Sequence, residues 1–116
     1  MSPKRGDRAA PPPVDTEWDV RFASSEAAAG WEALCAQAPG NTRKAWDLMR
    51  SSPGRPETPR HSRLRGNLAT AKFGGRELEQ WEIEVTGAGR VFYLIDKDKH
   101  TIRITKAETG HPKVTE

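Results

Sequence analysis

The chain has 116 residues, 30% of them charged and 34% hydrophobic, with a formal net charge of +3. This length predicts one domain, and no apolar run approaches the roughly 20 residues that a membrane span needs. The basic N-terminus lacks the apolar stretch of a secretory signal. Cys35 is the only cysteine, which excludes an internal disulfide and a cysteine-based zinc site. We therefore expect a cytoplasmic protein with no membrane partner. The three histidines, His61, His100 and His111, lie too far apart in the sequence to suggest a metal site, and we expect no cofactor.

Residues 1–15 are expected to form a disordered basic tail. The segment holds three basic residues and the run Pro11-Pro12-Pro13, and almost none of its side chains is suited to a core. Ordering it would cost conformational entropy without compensation. The folded domain is therefore predicted to span residues 16–116.

Two helices are predicted after a short first strand. Trp18, Val20 and Phe22 alternate with polar residues over residues 16–22, which is the period of a half-buried strand. Ser24 or Ser25 then caps a helix that ends at Pro39-Gly40. Asn41 or Thr42 caps a second helix, which stops at residues 51–54. The short break between them predicts an antiparallel helical hairpin.

The second half of the chain has the period of strands. Residues 64–73 form a weak candidate interrupted by Gly66, and residues 81–85 alternate most clearly. Residues 91–95 form an apolar run, and residues 102–104 alternate again. The predicted order is β-α-α-β-β-β-β. This order defines an α+β domain in which the helices cover one face of a small antiparallel sheet.

The aromatic residues are mostly expected in the core. Trp18, Trp31 and Trp81 fall on apolar faces, and burial is the usual fate of such residues. Trp46 is harder to place, and an exposed Trp46 would suit a surface that binds a partner's amphipathic helix.

Positive charge is concentrated in the middle of the chain. From Arg43 to Arg76, nine basic residues are opposed only by Asp47 and Glu57, which gives this stretch a net charge of +7. A field of this sign attracts nucleic acid. The alternative is a solvated face of a basic protein.

Several short motifs of the second half follow one another in a recognisable order. Leu64-Arg65-Gly66 precedes Trp81-Glu82-Ile83-Glu84-Val85, then come a tight turn, Gly89-Arg90-Val91-Phe92-Tyr93 and a terminal Gly110-His111-Pro112-Lys113. Together they resemble the RelE/ParE superfamily of toxins from type II toxin–antitoxin systems. The resemblance covers about residues 17–113 and implies a RelE-like fold with a cognate antitoxin as partner.

The resemblance implies a ribosome-dependent mRNA endonuclease that inhibits translation, with mRNA and rRNA as partners and no metal requirement. Relatives in the ParE branch act on DNA gyrase instead. Glu82 and Glu84 stand where several ribonuclease members carry basic residues, and Pro112 stands where they carry arginine. These departures keep open a gyrase inhibitor or a catalytically inactive protein that binds RNA or the ribosome.

The resemblance also implies catalytic residues. Arg90 matches the arginine that relatives use against the scissile phosphate, and the alternative is an ion pair with Glu82 or Glu84. His111 matches a terminal proton donor, and the alternative is a polar residue in a frayed tail. Glu82, which departs from the family pattern, is a candidate base unless it pairs with an arginine.

Other residues are candidates for contacts with RNA or for the core. Arg65, Lys72 and Lys113 suit phosphate contacts and equally suit solvated charges. Glu57 is a weak match to a general base in a comparable loop. Tyr93 lies an odd number of residues from Arg90, which places it on the opposite strand face and favours core packing.

Overall fold

The structure, a computed structural model, describes residues 3–9 and 11–110. It is an α+β domain with two helices on one face of a mixed sheet, in agreement with the predicted class. Its elements, in chain order, are β1 (Asp19–Phe22), α1 (Ser25–Gln37), α2 (Pro39–Ser51), β2 (His61–Arg63), a single 3₁₀ turn (Gly66–Leu68), β3 (Thr70–Phe73), β4 (Arg76–Glu84), β5 (Arg90–Asp96) and β6 (Thr101–Glu108).

The two helices begin for different local reasons. The Ser24 hydroxyl accepts a hydrogen bond from the Ala27 N–H at 3.0 Å, which confirms the predicted cap of α1. The predicted cap of α2 at Asn41 or Thr42 is wrong, because α2 already begins at Pro39. Proline suits a first helical position since its missing N–H has no partner there. The buried Thr42 hydroxyl instead donates to the Leu34 carbonyl at 3.0 Å and ties α2 to α1.

The sheet has the strand order β1-β6-β5-β4-β2, with β3 also paired to β4. β1 runs parallel to β6, so the prediction of a purely antiparallel sheet is wrong at this pair. Parallel neighbours need a long crossover, and all the elements between β1 and β6 provide it. The other pairs are antiparallel.

The weak strand predicted over residues 64–73 is two strands. β2 pairs with residues 81–83 of β4, and β3 pairs with residues 76–79 of the same strand. Between them the chain leaves the sheet at Gly66, where φ is +60°, a conformation that favours glycine. The strands predicted at 81–85, 91–95 and 102–104 correspond to β4, β5 and β6.

Side chains of alternate residues divide the sheet into two faces. The face under the helices carries Trp81, Ile83, Val91 and Tyr93, which pack with Trp31 and the other buried side chains of the helices. The opposite face, called here the open face, carries the residues between them in β4 and β5, which are Gln80, Glu82, Glu84, Arg90 and Phe92. The expected burial of Tyr93 is confirmed.

The tryptophans follow the sequence prediction in part. Trp31 and Trp81 are buried, as expected. Trp18 is only half-buried, and its ring stacks on His100 with 4.0 Å between the ring centroids. Trp46 is also half-buried and lies between the guanidinium groups of Arg43 and Arg50.

Part of the segment predicted to be disordered is hydrogen-bonded to β1. Gly6 N–H donates to the Phe22 carbonyl at 3.0 Å, and Ala9 N–H donates to the Val20 carbonyl at 2.8 Å. Phe22 N–H returns a bond of 3.1 Å to the Asp7 carbonyl. In the structure, the free edge of β1 thus offers residues 6–9 backbone partners that composition does not reveal.

Within residues 3–9 and 11–110, neither helix has the length and apolar character that crossing a membrane requires.

Candidate functional site

Arg90 and Glu82 come together on the open face. Arg90 is the first residue of β5, where it lies opposite Glu84 of β4 and Glu108 of β6. Its Nε lies 3.2 Å from Glu82 Oε2, and its Nη1 lies 3.7 Å from Glu84 Oε1. The Arg90 side chain is 35% exposed, so solvent reaches the group. We call Glu82, Glu84 and Arg90 the arginine–glutamate cluster.

The arginine–glutamate cluster has two chemical capacities. A carboxylate beside a fixed guanidinium can accept a proton from a hydroxyl while the cation holds a neighbouring phosphate. Two carboxylates on one guanidinium also neutralise it, which is the pairing that the sequence left open as the alternative for Arg90. The geometry is compatible with both, because Glu82 lies beside the guanidinium and Glu84 is a second, more distant carboxylate partner.

The end of β6 returns to the turn before Arg90. Gly110 has a φ of +84°, and a Cβ built on it would lie 2.3 Å from the Ala88 carbonyl oxygen. Only glycine permits this close approach. The described chain therefore ends against the β4–β5 turn, two residues before Arg90. His111 and Lys113 follow Gly110 in the sequence and lie outside the described residues.

Arg65 and Lys72 do not join the arginine–glutamate cluster. Lys72 is exposed on β3 and lies opposite Glu77, which shares its strand face with Trp81 rather than with Glu82. Arg65 is exposed in the loop after β2, directly before the 3₁₀ turn. Glu57 is exposed in the loop over residues 53–60.

Ion pairs neutralise part of the positive stretch. Arg50 pairs with Glu17 and Asp47, and Arg76 pairs with Asp96 at 2.7 Å. The Asp96 side chain is fully buried, and its hydrogen bonds from Arg76 hold the pKa of that carboxyl below its usual value. The sequence places Asp96 in a turn and gives no sign of this pair, which joins residues 20 positions apart.

The cations of this stretch that are left without an ion pair among the described residues are Lys44 in α2 and four residues on or beside the edge strands β2 and β3. Within the described part of the chain, four exposed cations of β2, β3 and the loops beside these strands have no ion pair, and they are Arg55, Arg60, Arg65 and Lys72. We call these four residues the basic edge. A polyanion meets positive charge there, and the same charges also discourage pairing of edge strands between molecules.

A buried hydrogen-bond network holds the loop of the basic edge to β5. Gly54 N–H donates to the Tyr93 hydroxyl at 3.0 Å, and that hydroxyl lies 2.6 Å from His61 Nε2. His61 Nδ1 lies 3.0 Å from the Pro56 carbonyl, which can only accept, so Nδ1 carries the proton and Tyr93 donates to Nε2. Burial lowers the pKa of His61 and raises that of Tyr93, so both side chains are neutral near pH 7.

Tyr93→Phe is expected to lower the free energy of unfolding by about 1–3 kcal/mol. The substitution leaves Gly54 N–H and His61 Nε2 without a partner while it preserves the ring that packs in the core. Urea denaturation at pH 7 measures the loss. Thr70→Val is the matched control, because it removes a hydroxyl that bonds Glu77 at an exposed site, where the change should stay within about 0.5 kcal/mol. Equal losses in both variants would show that the network does not stabilise the loop.

Phe92 and Lys106 also lie on the open face, opposite each other in β5 and β6. The sequence does not single out either residue. Strand periodicity could nevertheless have placed Phe92 near the candidate site, because Phe92 follows Arg90 by two positions and therefore shares its strand face.

Among the described residues, no group of three or more histidine, cysteine, aspartate or glutamate side chains is arranged to hold a metal ion. No protein-family model matches the chain, and neither a curated protein nor a solved structure shows significant similarity to it.

Proposed function

We propose that the chain is a cytoplasmic toxin of the RelE/ParE kind, a ribosome-dependent mRNA endonuclease that a cognate antitoxin restrains. The observation that carries the proposal is the approach of Glu82 to Arg90, 3.2 Å apart on the open face. The contact of Gly110 with the turn before Arg90 supports it, because His111 is the next residue in the chain.

The proposed reaction has two proton transfers, one from the attacking 2′-hydroxyl and one to the leaving 5′-oxygen. The Glu82 carboxylate takes the proton of a ribose 2′-hydroxyl, whose oxygen then attacks the adjacent phosphorus. Arg90 stabilises the charge on the pentacoordinate phosphate. The bond to the leaving 5′-oxygen breaks as His111 gives that oxygen a proton. The products are a 2′,3′-cyclic phosphate and a 5′-hydroxyl end.

The basic edge supplies the electrostatic attraction for RNA in this proposal. Arg55, Arg60, Arg65 and Lys72 have no ion pair in the described chain, so their charges are available to phosphates of rRNA or mRNA. Lys113 adds a further cation two residues after His111 in the sequence.

Induced expression of the full chain is expected to arrest growth and to create new mRNA 5′ ends within translated codons. Mapping of transcript 5′ ends before and after induction, with ligation methods that require either a 5′-hydroxyl or a 5′-phosphate, measures both position and chemistry. New 5′-hydroxyl ends that disappear when translation is blocked before induction are the expected result. Arrest without new ends would refute the endonuclease.

A second candidate function is favoured by the pairing of Arg90 with both Glu82 and Glu84. A guanidinium neutralised by two carboxylates suits a binding surface for a protein better than a phosphate site. This candidate is a gyrase inhibitor or a ribosome-binding protein without catalysis. It predicts growth arrest with intact transcripts, and purified chain that inhibits supercoiling by gyrase would identify the gyrase branch.

A further inference from the structure

A groove on the open face lies beside the arginine–glutamate cluster. It has a volume of about 400 Å³, which is within the range of small-molecule pockets. Its walls come from the loop after β2 and from the β5–β6 pair, and the lining residues are Leu64, Leu68, Gln80, Phe92, Thr105 and Lys106.

Two hydrogen bonds hold the outer wall of the groove in place. Leu64 N–H donates to the Gln80 carbonyl at 3.0 Å, and Gln80 Nε2 donates to the Leu68 carbonyl at 2.8 Å. The segment from Leu64 to Leu68 is therefore fixed to β4. Leu68 is nevertheless 59% exposed, which is unusual for a large apolar side chain in this protein.

A β-bulge shapes the inner wall. Phe92 lies opposite Lys106, but the next residue, Tyr93, lies opposite Ile104, so Thr105 is an extra residue of β6. Bulges of this kind redirect side chains. Thr105 and Lys106 consequently both line the groove, and the Lys106 ammonium lies 5.9 Å from the centroid of the Phe92 ring.

The groove and the arginine–glutamate cluster meet on the same strands and share one cross-strand row. Glu82, Phe92 and Lys106 form one cross-strand row, and Glu84, Arg90 and Glu108 form the next. Neighbouring rows on one face are two residues apart along a strand, or roughly 6.6 Å. Phe92 therefore lies directly beside the proposed base and one row from the proposed phosphate-binding arginine.

We infer that this groove is the subsite for one nucleobase of single-stranded RNA, which stacks on Phe92. Single-strand binding sites combine an aromatic platform with cations that follow the backbone. The groove has that composition, because Lys106, whose ammonium forms a long ion pair of 4.0 Å with Glu108, lies at one wall and the exposed Arg65 follows Leu64 at the other. The inference rests on the proposed function and deepens it, since a base on Phe92 brings its own ribose towards Glu82.

Binding of a fluorescently labelled 2′-O-methyl RNA by the purified full chain tests the inference. This probe lacks the free 2′-hydroxyl, so cleavage cannot interfere with the measurement of affinity by fluorescence anisotropy. Phe92→Leu keeps an apolar side chain but removes the stacking surface, and we expect it to weaken binding about tenfold. Phe92→Tyr keeps the surface and should stay within about twofold of wild type.

Trp46→Leu is the matched control, because Trp46 is an aromatic residue between two arginines on a different part of the molecule. We expect it to leave RNA affinity unchanged. Thermal unfolding by circular dichroism verifies that each variant is folded. Wild-type affinity in folded Phe92→Leu, or no binding of the probe by wild type, would overturn the subsite.

Cleavage assays separate failure of the subsite from failure of the proposed function. If wild type binds the probe through Phe92 but produces no new mRNA ends, the endonuclease fails and the subsite stands. If wild type cuts transcripts and Phe92→Leu cuts the same positions at the same rate, the endonuclease stands and the subsite fails.

Discussion

Arg90→Ala is expected to abolish growth arrest and to reduce mRNA cleavage by at least about a hundredfold. Loss of one preorganised group that stabilises transition-state charge typically costs a factor of about 10²–10³. The fold should persist, because Arg90 is partly exposed and its ion pairs with Glu82 and Glu84 lie at the surface. Induced expression with 5′-end mapping measures the activity, and circular dichroism measures the fold.

Glu82→Gln and Glu84→Gln form a matched pair of controls for this result. Both glutamates contact Arg90 from β4, and both side chains are 23% exposed. Only Glu82, the nearer one, is proposed as the base, so Glu82→Gln should lose about 10²–10⁴ in cleavage rate while Glu84→Gln retains most of it. Full toxicity of Arg90→Ala would refute the assignment of Arg90. Equal loss in the two glutamine variants would show that charge balance, not a specific base, matters here.

The same variants distinguish the non-catalytic candidate. A protein that acts by binding alone would keep growth arrest in Glu82→Gln, because no proton transfer is lost. Removal of a carboxylate beside Arg90 would also reduce repulsion of any nucleic acid and strengthen its binding. If Glu82→Gln still arrests growth while transcripts stay intact, binding is therefore favoured. If Glu82→Gln loses both the growth arrest and the new transcript ends, cleavage is favoured.

Local periodicity predicted the elements that carry the arginine–glutamate cluster. Alternation over residues 81–85 and the apolar run at 91–95 place Glu82 and Arg90 on neighbouring strands, and the tight turn between the strands fixes an antiparallel register. The contact between these two side chains could consequently be predicted from the sequence. The sequence could not decide between catalysis and a simple ion pair.

Features that depend on partners far apart in the sequence could not be predicted from local sequence patterns. The pair between Arg76 and the buried Asp96 joins two positions that each resemble ordinary turn residues. The division of residues 64–73 into β2 and β3 depends on the length of β4, which is sufficient for both strands. The groove depends on a bulge at Thr105, and neither composition nor alternation marks that position.

Gly30→Ala is expected to lower the free energy of unfolding by about 3 kcal/mol. Taken alone, the sequence suggests the opposite, because glycine within a helix is less favourable than alanine by about 1 kcal/mol. In the structure, however, a Cβ at Gly30 would lie 1.8 Å from the Ala107 carbonyl oxygen. The obstacle is the backbone of β6, so α1 and β6 must move apart, and overpacking of this kind costs about 1–3 kcal/mol or more.

Gly40→Ala is the matched control for this clash. Gly40 is also helical, in α2, but a Cβ there has no atom within 4 Å, so we expect a gain of up to about 1 kcal/mol. Opposite changes in the thermal unfolding midpoint are therefore expected, and a similar change in both variants would contradict the close contact of α1 with β6. Ala107 lies between Lys106 and Glu108, which belong to the groove and to the row of Arg90. Displacement of β6 in folded Gly30→Ala should consequently also weaken RNA binding, so the helix–strand contact positions the proposed site as well as the core.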